Sequence, residues 1–273
     1  MNIIKFSEKP KILLIQGSPR SENNCPGMES KTSKIVEHIK NKYKGILDID
    51  VVDLSIKQKK PIIQPCKGCI STAGGYHCNF PCSCYYKGDK SRNKDLMYEQ
   101  DVYEKLEWCD AFVVFSPIYW HSVTSQVKTM FDRLVCINLT LTHEEALKIF
   151  GDNLKTAKIT GSMLQNSKSK LKNHLEGKYA AFYIHGDNGA SDYSNQEFPE
   201  SYNKDEELDI KWTIKPIVNQ CRYSGIFVPD DLVETFYMNE NKDYYTANLS
   251  SLDFANTVAE NLIERLIRYL KIS

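Results

Sequence analysis

Short apolar runs alternate along the chain with amphipathic stretches. The runs are rich in β-branched and aromatic residues and end in turn residues, which is typical of buried parallel strands. They predict five strands, at Lys11–Gln16, Ile49–Leu54, Ala111–Phe115, Tyr179–His185 and Gly225–Val228.

Helical spacing of apolar residues marks the segments between and after these strands. One group runs from Ile35 to Tyr43, a second from Val127 to Val135, and the longest from Ala255 to Leu270, which predicts a C-terminal helix over 249–270. Strands and helices in alternation imply right-handed crossovers and a parallel sheet with helices on both faces. The pattern therefore predicts a three-layer, doubly wound α/β fold.

Three segments exceed what a minimal five-strand unit needs: 55–100, 138–176 and 188–206. Loops of this length inside a compact domain are usually lids, interface arms or disordered segments. A weak helix over 205–221 is expected to kink at Pro216, because proline removes a backbone donor. At 273 residues, the simplest organisation is one domain, 1–273, that carries these insertions.

The charge balance argues against a polyanionic partner. Lys plus Arg and Asp plus Glu both number 35, so no overall field attracts nucleic acid or an anionic membrane. No apolar stretch reaches the ~20 residues that span a bilayer, and residues 1–10 lack the apolar core of a signal peptide. We expect a cytoplasmic protein that binds neither nucleic acid nor membrane, and any anion must be bound by local geometry.

A polar loop over 17–32 joins the first predicted strand to the first predicted helix. In doubly wound sheets, ligands bind beyond the carboxyl ends of the strands, where this loop lies. It ends in Ser30, Lys31 and Thr32 at the helix start. Backbone N–H groups, the positive end of the helix dipole, hydroxyls and an ammonium group together suit a phosphate.

The known glycine motifs do not account for this loop. A nucleotide-triphosphate P-loop requires glycines where Cys25 and Ser30 stand, and the dinucleotide fingerprint retains only Gly17. The alternative without a ligand is that Ser30 is only a helix N-cap and Arg20 only a surface residue.

Two further loops follow the third and fourth predicted strands. Ser116 and Pro117 are expected to end the third strand, and residues 118–121 then present large flat side chains at the ligand edge. Such aromatic residues are more often part of a core. After the fourth strand, His185 stands beside glycine, which lets the backbone approach a planar group closely.

Together, the three loops resemble the flavin-binding loops of the flavodoxin-like NAD(P)H-dependent oxidoreductases and NADPH-dependent FMN reductases. The resemblance covers about 11–135 and 179–228, with the helix over 249–270 closing the sheet. The combination of loops is more specific than any one of them. It implies a flavodoxin-like fold with five parallel strands in the order 2-1-3-4-5, and an FMN across the ends of strands 1, 3 and 4.

The resemblance assigns three groups of residues to FMN binding. The phosphate group would be held by Ser18, Arg20, Ser30, Lys31 and Thr32. The isoalloxazine ring would be lined by Pro117, Ile118, Tyr119, Trp120 and His121, and its other edge would face His185, Gly186 and Asp187.

The implied activity is an FMN-dependent transfer of hydride from NAD(P)H, the co-substrate, to a small acceptor. Quinones, nitro or azo compounds and free flavin are the acceptors considered. His121 and His185 are the candidate catalytic residues, since either could donate to the reduced ring or protonate an acceptor. Family members that look like this chain are commonly dimers, so a homodimer is expected by analogy.

Five of the nine cysteines crowd into residues 66–84. Cys66, Cys69, Cys78, Cys82 and Cys84 provide enough thiolates for zinc or an iron–sulfur cluster. Iron–sulfur flavoproteins on this fold resemble the chain in carrying a cysteine cluster after the second strand, but with tighter spacing. We therefore predict no metal and reduced thiols, and keep as alternative functions an iron–sulfur flavoprotein and a flavodoxin-type electron carrier.

Overall fold

The computed structural model describes residues 9–23, 27–57, 60–70, 78–85, 95–120, 122–156, 158–187, 210–238 and 249–272. Its strands are β1 (Lys11–Gln16), β2 (Asp48–Asp53), β3 (Asn79–Phe80), β4 (Ala111–Tyr119), β5 (Ser122–Val123), β6 (Leu141–Thr142), β7 (Tyr179–Asp187) and β8 (Val233–Met238). Its helices are α1 (Lys31–Tyr43), α2 (Leu96–Glu99), α3 (Val102–Trp108), α4 (Ser125–Arg133), α5 (His143–Phe150), α6 (Asn153–Thr156), α7 (Gly161–Lys168), α8 (Lys215–Tyr223) and α9 (Leu249–Ile272). Short 3-10 helices cover Leu134–Ile137, Ile210–Thr213 and Asp230–Leu232.

The central sheet has five parallel strands in the order β2-β1-β4-β7-β8. Counted along the sheet's own strands this is the order 2-1-3-4-5, so the predicted topology is confirmed. The strand order reverses between β1 and β4, and the loops that follow these two strands therefore meet at one edge.

Helices cover both faces of the sheet. On β1, Leu13 and Ile15 belong to the core beneath α3, α4 and α8, whereas Ile12 and Leu14 belong to the core beneath α1 and α9. All four side chains are fully buried. The predicted three-layer α/β fold is confirmed, and a strand that is apolar on both faces is what such a fold requires.

The third predicted strand is longer than expected, because Ser116 and Pro117 do not end it. β4 runs to Tyr119, and Ser116 and Pro117 stay in register with Ile184 and His185 of β7. β4 then turns into a hairpin with the antiparallel β5. The aromatic segment predicted as a loop is thus largely a strand end and a tight turn.

The fifth predicted strand, Gly225–Val228, was wrong. Within it, only Phe227 forms an isolated bridge, to Tyr179, and Gly225 has a φ of +77° that suits a turn. The fifth strand of the sheet is β8, which pairs with β7 over six residues.

Pro216 begins a helix instead of kinking one. It lies in the first turn of α8, where the N–H that proline lacks has no intrahelical partner in any case. The predicted helix over 205–221 was therefore wrong in its bounds, although its residues before 210 lie outside the described part of the chain.

Two of the three long insertions pair with each other. β3, in the 55–100 segment, and β6, in the 138–176 segment, form a two-stranded parallel sheet. The second of these segments also carries α5 to α7 around a small core of its own, at Leu141, Ala146 and Phe150. It is therefore folded and not disordered, whereas the 188–206 segment lies outside the described residues.

None of the helices in the described ranges combines the length and the apolar character that a bilayer crossing demands.

Candidate functional site

The loop after β1 is held in shape by its own side chains. Gln16, which is buried at the end of the strand, accepts a hydrogen bond from the Ser18 N–H and donates one to Ser33 Oγ at 2.8 Å. The Arg20 N–H in turn donates to Ser18 Oγ at 3.3 Å. The loop is thus fixed at both the strand end and the helix start.

Helix α1 begins next to this loop with a capped N-terminus. Ser30 has extended backbone geometry, and its hydroxyl accepts a hydrogen bond from the Ser33 N–H at 3.0 Å. Ser30 is therefore the N-cap of α1, and it also lines the cavity described below. The first turn of a helix presents N–H groups and a partial positive charge to anything that lies in front of it.

A buried hydrogen bond connects this helix start to the end of β7. Thr32 Oγ1 and His185 Nε2 are 2.9 Å apart, and Thr32 and His185 are only 1% and 4% exposed. Two residues separated by 153 positions in the chain are therefore locked together at the sheet edge.

The β4–β5 hairpin presents the aromatic residues. Pro117 and Ile118 are half-buried and Tyr119 is 41% exposed, whereas Trp120 is 95% exposed. Trp120 has a φ of +49°, the left-handed conformation that a tight turn imposes. The other turn residue, His121, lies outside the described residues.

Nine of the thirteen predicted binding residues line one cavity of about 90 Å³. They are Ser18, Arg20, Ser30, Lys31, Thr32, Pro117, Ile118, Tyr119 and His185. Of the other four, Trp120, Gly186 and Asp187 follow lining residues in the chain, and His121 is not described. The cavity has the volume of about three water molecules, which suits a phosphate and its attachment better than a three-ring system.

The cavity offers donors and positive charge to an anion. The described residues place no hydrogen-bond acceptor within reach of the buried Nε of Arg20, although its Nη2 donates to the Met28 carbonyl at 3.4 Å. Lys31 adds a second cation, and none of the nine lining residues carries a carboxylate. An N–H group that is buried without an acceptor is costly unless a ligand supplies one, so the residues present fit a phosphate.

Close backbone contact beneath the cavity requires a glycine. A Cβ on Gly17 would lie 2.4 Å from Val127 Cγ2 and 2.7 Å from the Phe115 carbonyl oxygen. The Gly17 N–H donates to that same oxygen at 2.7 Å, and the Gly17 carbonyl accepts from Thr124 Oγ1 at 2.6 Å. The loop after β1 is therefore in direct contact with β4 and with the N-cap residue of α4.

Two residues that the sequence did not predict, Gln16 and Thr124, stabilise the site through hydrogen bonds but do not line the cavity. Gln16 carried one signal, a polar side chain at the end of a strand that is otherwise buried. Thr124 carried the signal of an N-cap residue before an apolar helix, and it does cap α4.

A larger cleft of about 650 Å³ lies at the opposite edge of the sheet, where Lys11, Asp110 and Tyr179 mark the beginnings of β1, β4 and β7. No described residue of the three predicted loops lines it. Ligands of doubly wound sheets bind at the carboxyl ends, so the smaller cavity is the candidate site.

Cys78, Cys82 and Cys84 pack into the core on the face of the sheet beneath α3 and α4. The Sγ atoms of Cys69 and Cys84 are 3.2 Å apart. Hydrogen bonding from Cys84 and the charge of the Arg133 guanidinium lower the pKa of Cys82 to about 6, whereas burial raises the pKa of Cys78 to about 12. In the described ranges no three metal-ligating side chains are grouped to hold an ion.

We expect Thr32→Val to weaken the helix–strand connection at the site. Valine keeps the shape of threonine but cannot bond to His185 Nε2, so the free energy of unfolding should fall by about 1–3 kcal/mol. Urea denaturation measures this change. Thr257→Val, at an exposed position on α9, is the matched control and should change stability by less than about 0.5 kcal/mol. Equal effects of the two substitutions would contradict a structural role for the bond.

Comparison with known proteins gives the family. The model of the NADPH-dependent FMN reductases matches residues 10–199, which is more than half of the 273 residues. The chain belongs to the NADPH-dependent FMN reductase family. The predicted family is thereby confirmed, and the description of the family, which names NADPH and FMN, agrees with the predicted cofactors.

Curated relatives of this FMN reductase family member include two iron–sulfur flavoproteins. That of Methanocaldococcus jannaschii is 30% identical over 123 residues, which is 45% of this chain and 50% of the relative. That of Archaeoglobus fulgidus is 32% identical over 123 residues, which is 45% of this chain and 48% of the relative. The chain thus spans about half the length of the curated relatives it matches.

A solved structure supports the fold. The NAD(P)H:quinone oxidoreductase from Methanothermobacter marburgensis is similar over 93% of this chain and 98% of its own, with a TM-score of 0.51. At 11% sequence identity this similarity shows a shared fold alone.

Proposed function

We propose that this protein is a flavin oxidoreductase that delivers reducing equivalents from NAD(P)H to a small acceptor: a quinone, a nitro or azo compound, or free flavin. The observation that carries the proposal is the cavity at the carboxyl ends of β1, β4 and β7. It gathers cationic, hydroxyl and aromatic side chains from all three predicted loops.

The phosphate end of FMN would bind in the polar part of this cavity. Arg20 would donate from its Nε, and Lys31 would contribute charge. Ser18 and the first turn of α1 complete the set of donors. Thr32 would act mainly by holding His185, because their side chains already bond to each other.

The isoalloxazine ring of FMN would lie against the β4–β5 hairpin, outside the small cavity. Pro117, Ile118 and Tyr119 would form a wall for it, and the exposed Trp120 would extend that wall toward the acceptor. FMN, when bound, supplies the hydride and electron chemistry, so the protein needs no nucleophile. His185 would hold a proton on its imidazole ring, whose Nε2 bonds to Thr32. His121 remains the second candidate acid.

We expect Arg20→Leu to raise the Kd for FMN about 10- to 100-fold. A charge-assisted hydrogen bond to phosphate is worth about 1.5–3 kcal/mol, and each ~1.4 kcal/mol is a factor of ten. Titration of FMN fluorescence measures the change. Arg268→Leu is the control, since Arg268 is an exposed arginine on α9 and its loss should leave the Kd unchanged. An unchanged Kd for Arg20→Leu would contradict the assignment of Arg20 to the phosphate of FMN.

Anaerobic reduction tests the activity itself. Adding NADPH to the FMN-loaded protein should bleach the flavin absorbance, and adding a quinone, an azo dye or free FMN in separate samples should restore it. The acceptor that restores it fastest identifies the reductase type. A flavin that NADPH does not bleach would favour a flavodoxin-type carrier instead.

A second candidate is an iron–sulfur flavoprotein that transfers electrons. The curated relatives carry that name, and five cysteines lie within residues 66–84. Absorbance of the purified protein separates the two candidates, because a cluster adds a broad brownish shoulder to the flavin bands. We favour the first candidate, since the family model that matches residues 10–199 is that of the NADPH-dependent FMN reductases.

The proposed partners are the small acceptor and a second copy of the chain, and we propose a cytoplasmic location. The balanced charge, 35 basic against 35 acidic side chains, supports the proposal that neither nucleic acid nor a membrane is a partner. Sedimentation of the FMN-loaded protein tests the dimer.

A further inference from the structure

Two cysteines lie side by side, at some distance in the chain from the flavin loops. Cys69 and Cys84 are both half-buried, so both have partial access to solvent. Their Sγ atoms, at 3.2 Å, need to move only about 1 Å closer to reach the ~2.05 Å of a disulfide.

The two chain segments that carry this pair are already joined. Tyr85 Oη donates a hydrogen bond to the Pro65 carbonyl at 2.7 Å, and Lys67 Nζ lies 4.5 Å from the centre of the Tyr85 ring. These contacts flank the sulfur pair on both segments. The short distance between the sulfurs is therefore part of a local arrangement of several contacts.

A buried cation also packs against the segment that carries Cys84. Arg133 is 1% exposed, bonds to Asp95 at 2.5 Å and to the Gln64 carbonyl at 3.0 Å, and lies 4.7 Å from the centre of the ring of Tyr85, the residue after Cys84. Arg133 therefore connects Tyr85 to Gln64, next to the Pro65 carbonyl to which Tyr85 also bonds.

We propose that Cys69 and Cys84 form a redox-active dithiol site that is oxidised to a disulfide by low-molecular-weight disulfides. One cysteine sulfur attacks the small disulfide, breaks its S–S bond and releases one thiol. The other cysteine then attacks the mixed disulfide, forms the Cys69–Cys84 bond and releases the second thiol. Two electrons pass from the cysteines to the small disulfide, and the two cysteine protons leave on the two released thiols.

Disulfide mapping of the FMN-loaded protein tests this site. Metal content is measured first, and the protein is then incubated with oxidised glutathione, alkylated, and digested with chymotrypsin without reduction. Cleavage after Tyr76 places Cys69 and Cys84 in different peptides. We expect a peptide pair linked between Cys69 and Cys84, and a fall from nine free thiols to seven per chain in denaturant, that is, nine minus the two in the bond.

Single substitutions assign the link. Cys69→Ser and Cys84→Ser should each abolish it and leave a glutathione adduct on the remaining cysteine. Cys221→Ser, at a buried position on α8, and Cys78→Ser should retain it. The mapping of the unaltered protein decides the question even if one variant fails to fold.

Three results would overturn the proposal. They are no linked peptide after oxidation, a link between other cysteines, and stoichiometric iron or zinc that is lost in Cys69→Ser or Cys84→Ser. Because FMN binding is measured on the same samples, failure of the dithiol site is distinguishable from failure of the flavin site.

Discussion

Arg133→Met should lower the free energy of unfolding by about 3–5 kcal/mol, measured by urea denaturation. The Arg133–Asp95 ion pair is buried on both sides, at 0% and 1% side-chain exposure. Removing the cation leaves the Asp95 carboxylate in the core without its counter-charge, and that is the costly step. The loss of the Gln64 and Tyr103 hydrogen bonds adds to it.

Two controls separate the buried charge from the loss of packing. The double substitution Arg133→Met with Asp95→Asn removes both charges but keeps a side-chain oxygen at position 95 to accept from the N–H groups of Gln64 and Met97. It should recover much of the lost stability, since the unpaired buried charge is the costly part. Lys128→Met breaks an exposed pair with Asp132 and should cost only about 0–1 kcal/mol. If the double variant is no more stable than Arg133→Met, the explanation by an unpaired charge fails.

Gly17→Ala should weaken FMN binding and lower the free energy of unfolding by about 1–3 kcal/mol. The new methyl group would meet Val127 Cγ2 at 2.4 Å and the Phe115 carbonyl oxygen at 2.7 Å. The second of these is backbone of β4, which cannot rotate away, so the loop itself must shift. Urea denaturation and titration of FMN fluorescence measure the two effects.

Gly45→Ala is the matched control for this prediction. It is the same substitution in the turn between α1 and β2, and a Cβ there meets nothing within 4 Å. Its stability should change by less than about 0.5 kcal/mol and its FMN affinity not at all. Wild-type FMN affinity in Gly17→Ala would show that the loop tolerates the shift and that the close contact is not required.

The sequence predicted the interior of the fold better than its edge. β1 has the predicted bounds, because it is a continuous apolar run that is buried on both faces. β2, an edge strand that is mostly half-buried, differs from its prediction by one residue at each end. The fifth strand was misplaced, since Gly225–Val228 is the more apolar segment yet forms only a single bridge to β7, whereas Val233–Met238 pairs with β7 over six residues. The extent of pairing depends on the register between the strands, which a single sequence does not carry.

The site was predictable where it follows from the ends of strands. Nine of the assigned residues share one cavity because parallel strands bring the loops at their carboxyl ends together. The Thr32–His185 bond was not predictable, because it joins positions 153 residues apart and depends on the distance between α1 and β7. The exposed turn at Trp120 was missed for a related reason: the hairpin forms only because β4 continues past Pro117.

The cavity is lined by residues from three separate parts of the chain, the first at Ser18 and the last at His185. It therefore exists only when β1, β4 and β7 are paired. A cofactor that binds there recognises the folded chain and not the unfolded one. By thermodynamic linkage, FMN at a hundred times its Kd adds about 2.7 kcal/mol to the folding equilibrium. Flavin supply during expression is then a determinant of how much native protein a cell accumulates.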